Sequence, residues 1–165
     1  MFVLGIDPGV SRCGYGCVEA AGRGRGGRAV AAGVLRTPPN DPLPRRLAAL
    51  DREIRALVAE LRPDAVAVER VFFQVNARTA MAVGQASGLV LAAAAQAGCE
   101  VVQYTPNEVK QAVAGYGAAP KEQVYRMVQT LLDLPQLRPQ PDAADALALA
   151  LTHLAMARFR SAVAR

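Results

Sequence analysis

Residues 2–6, Phe-Val-Leu-Gly-Ile, are apolar without a break until Asp7, and the chain then turns at Pro8-Gly9. An uninterrupted apolar run bounded by a turn predicts a strand buried on both faces. A lone carboxylate at its end is costly to bury, so Asp7 needs a partner. Residues 14–19 and 29–36 predict two further strands, with the basic hairpin loop Gly-Arg-Gly-Arg-Gly-Gly-Arg (22–28) between them. Residues 37–44, with four prolines, read as a rigid connector. Leu47, Leu50, Ile54, Leu57 and Leu61 then recur at three- and four-residue steps, an amphipathic helix that Pro63 stops. Residues 65–69, Ala-Val-Ala-Val-Glu, predict a fourth strand ending in Glu69. An Ala- and Gly-rich helix over 77–97 and a strand over 99–104 follow. Thr105-Pro106-Asn107-Glu108 has the Thr, Pro and Glu spacing of a capping box opening a short helix. A further helix starts near Lys121, and a last one runs from Asp142 to Met156 after the Pro-rich stretch 134–141. The order β-β-β-α-β-α-β-α-α-α predicts one α/β domain over residues 1–165, an antiparallel meander leading into a mixed sheet flanked by helices.

Residues 79–98 carry no charge over the length of a membrane span. Ala, Gly, Ser, Thr and Gln dominate the stretch, so a buried helix is expected and no membrane attachment. No basic, apolar leader pattern opens the chain. Three cysteines argue against a disulfide framework. Cys13 and Cys17, four apart on one strand, stand roughly 13 Å from each other, too far to bridge. With His153 as the one histidine, a Cys/His zinc site has no support. The reading is a cytoplasmic protein whose thiols fill the core. The formal charge of +5 and pI of about 9.6 suggest an anionic partner. Seventeen arginines stand against two lysines, Lys110 and Lys121.

Four acids are distinguished by position. Asp7 and Glu69 end strands, while Asp142 and Asp145 lie three apart on one face of the last helix, in a stretch otherwise uncharged from 139 to 157. Taken singly, Asp142 caps a helix, Asp145 favours its dipole and Glu69 pairs with Arg70. Taken together, they form a negative pocket that cations must fill, and hard divalent ions held by oxygen suit it. With these four set aside, nineteen bases face ten acids. A basic surface around an acidic pocket suits a polyanion that must meet metal.

Gly-Ile-Asp-Pro-Gly at Asp7, Ala-Val-Glu-Arg-Val-Phe-Phe at Glu69 and Asp-Ala-Ala-Asp-Ala-Leu-Ala-Leu-Ala-Leu-Thr-His at Asp142 and Asp145 resemble the RuvC family of Holliday-junction resolvases. Residues 84–88, 109–117 and 121–135 resemble it too, so the likeness covers the whole chain in order. It implies an RNase H-like fold and a homodimer acting in DNA recombination and repair. Such a dimer binds four-way junction DNA and nicks two opposed strands symmetrically. Asp7, Glu69, Asp142 and Asp145 are then the catalytic, metal-binding acids for Mg²⁺ or Mn²⁺, two ions per site, one generating hydroxide and one stabilising the leaving 3′ oxygen. The products are 5′-phosphate and 3′-hydroxyl ends. At the position of Asp142 some family members carry histidine; this chain has four carboxylates. A RuvA–RuvB branch-migration complex is the implied partner.

The resemblance also places Lys110 and Lys121 near the scissile phosphate and Phe72 against junction DNA. Phe73 is core or rim, and Arg70 and Arg78 are solvated or touch phosphate. Ala80, Gly84 and Gly88, four apart, suit either a two-fold helix interface or burial against the sheet. The 22–28 loop is expected to be solvated, and His153 structural, near the site. Three serines and no Gly-x-Ser-x-Gly leave a serine hydrolase unsupported. Alternatives are an RNase H-like nuclease for another structured nucleic acid and a non-catalytic junction binder. An actin-like nucleotide module needs two domains, for which 165 residues leave no room.

Overall fold

The apolar run at the start of the chain is β1 (Phe2–Asp7), the middle strand of a five-stranded sheet. β2 (Arg12–Ala20) and β3 (Gly27–Arg36) fold back beside it as an antiparallel meander. β4 (Ala65–Glu69) and β5 (Glu100–Tyr104) lie on its other side, parallel to it, giving the order β3-β2-β1-β4-β5. Among the described residues, five helices complete the computed structural model: α1 (Leu43–Leu61), α2 (Ala77–Gln96), α3 (Pro106–Ala114), α4 (Lys121–Leu131) and α5 (Pro141–Val163). It describes residues 1–22, 26–70, 77–134 and 140–163, with 77–79 and 161–163 as backbone only.

Element order and sheet type are those the sequence predicts; several boundaries are not. β2 and β3 begin earlier than residues 14 and 29, because Arg12 pairs with Arg36 and Ala20 with Gly27 across the meander. α1 starts at Leu43, inside the expected connector, because a proline in the first helical turn forfeits no helical hydrogen bond. α5 runs on to Val163, past the expected end at 156, since neither glycine nor proline interrupts it.

Strand alternation splits the core into two layers. Val3, Val18, Ala65 and Ala67 pack against Val113 of α3, Val124 and Val128 of α4, and Leu147 and Leu151 of α5. Leu4, Ile6, Cys13, Cys17, Val66 and Val68 pack against Leu50, Ile54 and Val58 of α1 and Ala86, Val90, Ala93 and Ala94 of α2. β1 and β4 are covered on both faces, hence their unbroken apolar runs. Each fully buried Leu or Ile here contributes about 2 kcal/mol. The uncharged stretch of α2 is core helix, and no helix among the described residues is long and apolar enough to cross a membrane. All three cysteines are free.

α5 lies unusually close to β1 and β2 because glycines line its track. A Cβ on Gly5 would stand 1.9 Å from the Ala146 carbonyl oxygen, and one on Gly14 would stand 2.1 Å from that of Asp142. Only a bare backbone admits the helix at this distance. The close approach brings the first turn of α5 over the end of β1.

Candidate active site

Alternation assigns faces at the strand ends as it does in the core. Asp7 follows Val3 and Gly5, and Glu69 follows Ala65 and Ala67, so both acids leave the sheet on the side that α5 covers. They are neighbours, one step beyond the Ile6–Val68 pair of the parallel β1/β4 ladder. Asp142 comes down from the first turn of α5 and Asp145 from the start of the second. All four carboxylates line one cleft of about 430 Å³, together with Lys110 and Lys121. Lys110 is placed by α3, whose start is fixed by the expected capping box. Glu108 N–H donates to Thr105 Oγ1 at 3.2 Å, and Thr105 N–H donates to Glu108 Oε2 at 2.7 Å. Gly115, at φ 75°, closes α3 in the left-handed conformation that glycine tolerates. Lys121 opens α4 directly after Pro120.

The cleft crowds negative charge, and the acids respond. Burial, then the charges of Glu69, Asp145 and Asp142, push the Asp7 carboxyl from its ordinary 3.8 up to about 7. Burial also raises Glu69, against the hydrogen bond it receives from Asp7. The helix acids are instead held by cations. Lys121 Nζ donates to Asp145 Oδ2 at 2.8 Å. Burial works against the charge on Lys121, but its bond to Asp145 outweighs that and raises its pKa. Arg12 Nε donates to Asp142 Oδ2 at 2.7 Å, with Nη2 on the same oxygen. With Asp142 drawn to β2 and Asp145 to α4, no three acids among the described residues converge on a single ion position. The donor set nonetheless fits hard divalent cations: oxygen only, and crowded until Asp7 holds a proton near neutral pH.

A pH effect on stability follows. Between pH 3.8 and about 7 the folded chain holds a proton on Asp7 that the unfolded chain has released. Stability from this group therefore falls as pH rises through that window and levels off above it. The melting temperature of the EDTA-treated protein is expected to drop from about pH 5 to about pH 7.5 and to recover when Mg²⁺ is added. A flat profile would show that the acids are not crowded.

A family model, that of crossover junction endodeoxyribonuclease RuvC, matches residues 3–153. The chain belongs to the RuvC family. It is 53% identical over 161 residues to the RuvC of Moorella thermoacetica, covering 97% of this chain and 95% of that one. With the RuvC of Salinispora arenicola it is 54% identical over 164 residues, covering 99% and 93%. The structure of Thermus thermophilus RuvC in complex with a Holliday junction substrate superposes with a TM-score of 0.91 at 41% identity, covering 98% of this chain and 97% of that one. The RNase H-like expectation for the fold is thereby met.

Within this RuvC-family chain, the structure brings together six of the seven residues singled out from the sequence: the four acids and the two lysines. The seventh, Phe72, and also Phe73 lie outside the described residues, as do Arg23 and Arg25 of the 22–28 loop and the side chain of Arg78. Arg70 is exposed and gives its backbone N–H to the Tyr104 carbonyl at 2.8 Å. His153 is structural but does not line the cleft; it is buried three turns farther along α5, with Nδ1 3.0 Å from the Tyr104 hydroxyl. Two residues that touch the acids were not read from the sequence, Arg12 and Tyr125. Tyr125 approaches Asp145 Oδ2 at 3.5 Å. Arg12 lies 130 residues from Asp142, and no local pattern links them.

Proposed function

We propose that this chain is a single nuclease domain that resolves four-way DNA junctions by metal-dependent nicking of two opposed strands. The observation that carries this reading is the cleft itself, where four carboxylates from β1, β4 and α5 meet the two lysines of an otherwise arginine-based chain. Asp7, Glu69, Asp142 and Asp145 would hold Mg²⁺ or Mn²⁺, with two ions per site. When bound, such ions activate water and stabilise the leaving 3′ oxygen of a phosphodiester. The residues do the rest. Asp7 gives up its proton as cations enter, and Lys110 and Lys121 orient the scissile phosphate as compact point charges. Phe72 stacks at the opened crossover. The ends left are 5′-phosphate and 3′-hydroxyl.

Cleavage of a synthetic four-way junction and of a linear duplex of the same sequence, with Mg²⁺, with Mn²⁺ and with EDTA, tests the reading. Paired symmetric nicks on the junction alone, and only with metal, are expected. Junction binding without cleavage under either metal overturns it. Lys121→Ala is expected to slow cleavage at saturating junction by about 10²-fold while shifting junction Kd by less than about threefold. Equal losses in both would make Lys121 a general phosphate contact.

Two identical sites on a symmetric junction call for a two-fold dimer. On α2 the sheet-facing residues are Ala86, Val90, Ala93 and Ala94, whereas Gly84 and Gly88 face open space beside exposed Met81. This bare stripe is the proposed dimer face. Gly88→Leu is expected to weaken self-association measured by sedimentation while the subunit stays folded. An unchanged dimer would place the interface elsewhere. The resolvase acts in the cytoplasm, with a RuvA–RuvB complex as its partner.

A further inference from the structure

Lys121 has a difficult position from which to act on a phosphate. It is the first residue of α4, its N-cap Pro120 makes no side-chain cap bond, and its own side chain is 61% exposed. A four-carbon stem ending in an ammonium gives up much rotamer freedom when fixed in one place. Something must hold it. Tyr125 lies one turn on, at i+4, on the same face of α4. The Lys121 ammonium sits 5.4 Å from the centroid of its ring, within the range of a cation–π contact. The Tyr125 hydroxyl donates to the Pro141 carbonyl at 3.3 Å, in the first turn of α5, and lies 3.5 Å from Asp145 Oδ2. That is the oxygen on which Lys121 Nζ rests at 2.8 Å. The ring therefore restrains the lysine while the hydroxyl ties α4 to the helix that carries two of the acids.

We propose that Tyr125 is a positioning residue that fixes Lys121 and Asp145 relative to each other across the α4/α5 junction. Its role in the reaction rests on the resolvase reading above; its role in placing Lys121 does not. The aromatic ring supplies the restraint on the ammonium, and the hydroxyl supplies the register between the two helices.

Two measurements separate these parts. Because the chain has two lysines, a spectrum of protein labelled at lysine Cε shows two resonances, and Lys121→Arg assigns them. The Lys121 ε-methylene is expected upfield from the ring current of Tyr125, to stay there in Tyr125→Phe, and to move to the position of a free lysine in Tyr125→Leu. In cleavage at saturating junction and metal, Tyr125→Leu is expected to lose about tenfold in rate and Tyr125→Phe about threefold, with junction Kd in EDTA changed by less than about twofold. In a Lys121→Ala background, Tyr125→Leu is expected to add no further loss. A Lys121 resonance that ignores Tyr125→Leu, or losses that multiply in the double variant, overturns the proposal. Should Tyr125→Leu not fold, the same comparison runs with Tyr125→Met for the ring and Tyr125→Phe for the hydroxyl. If the unaltered chain fails to cut junctions, the resolvase reading falls and the resonance alone judges Tyr125.

Discussion

Asp7→Asn is expected to leave the chain folded and bound to junction DNA, with strand cleavage reduced by at least about 10³-fold. The substitution keeps shape and volume, and it keeps a donor toward Glu69. Asp7 has a pKa near 7, so close to neutrality much of the metal-free protein already carries a neutral side chain there. Asparagine imitates that form permanently. It removes one charge from a cleft lined by three other acids, so the metal-free variant is expected to be at least as stable as the parent. Its melting temperature should also vary less from about pH 5 to about pH 7.5. Junction affinity should hold or tighten slightly, because a repulsive charge beside the phosphate is gone. A variant that loses binding and melting temperature together would show that Asp7 is a structural acid. A variant that cuts at near-normal rate would remove it from the proposed metal site.

Gly5→Ala is expected to destabilise the chain by about 3 kcal/mol or more. The new Cβ would stand 1.9 Å from the Ala146 carbonyl oxygen, a rigid backbone atom of α5. The helix must then retreat from the sheet, taking Leu147 and Ala150 out of contact with the β1 side of the core. For a domain of this size the expected fall in melting temperature is roughly 6–12 °C. Gly22→Ala supplies the control. There a Cβ meets nothing within 4 Å, so the effect on stability is expected to stay within about 0.5 kcal/mol. Urea titrations of the two variants at equal protein concentration should separate accordingly. A shift of less than about 1 kcal/mol for Gly5→Ala would mean that α5 adjusts its seat freely.

Much of the candidate site was legible because each acid sits on a local period. A strand whose apolar run ends in a carboxylate announces which residue reaches the sheet's end, as at Asp7 and Glu69. An i, i+3 pair of aspartates in an uncharged helix announces a common face, as at Asp142 and Asp145. The helix boundaries at Thr105 and Lys121 followed from a capping box and from the Gly-rich turn over residues 115–120. What escaped was contact between elements distant in sequence. Arg12 fell before the expected second strand, and Tyr125 inside the helix near Lys121, with nothing in the sequence to mark either, because their partners are supplied by α5. Gly5 and Gly14 were not singled out in their strands, although they set how near that helix can come. The expectation that His153 lies near the site failed for a related reason. Residue spacing along α5 gives rise and face, and eleven residues carry His153 to the far end of β5 beside Glu100, 4.0 Å from its nearest carboxylate oxygen.

The seat of α5 on β1 also bears on how this chain comes into being. Synthesis proceeds from the N-terminus, so β1, with Asp7, leaves the ribosome before residues 141–163. Half of the acids lining the cleft belong to α5. Gly5 of the central strand and Gly14 of β2 accordingly stay uncovered until α5 settles on them. A translation product that stops before residue 141 has Asp7 and Glu69 but neither aspartate of the pair. A broken message would thus yield fragments without the acid set proposed to cut DNA.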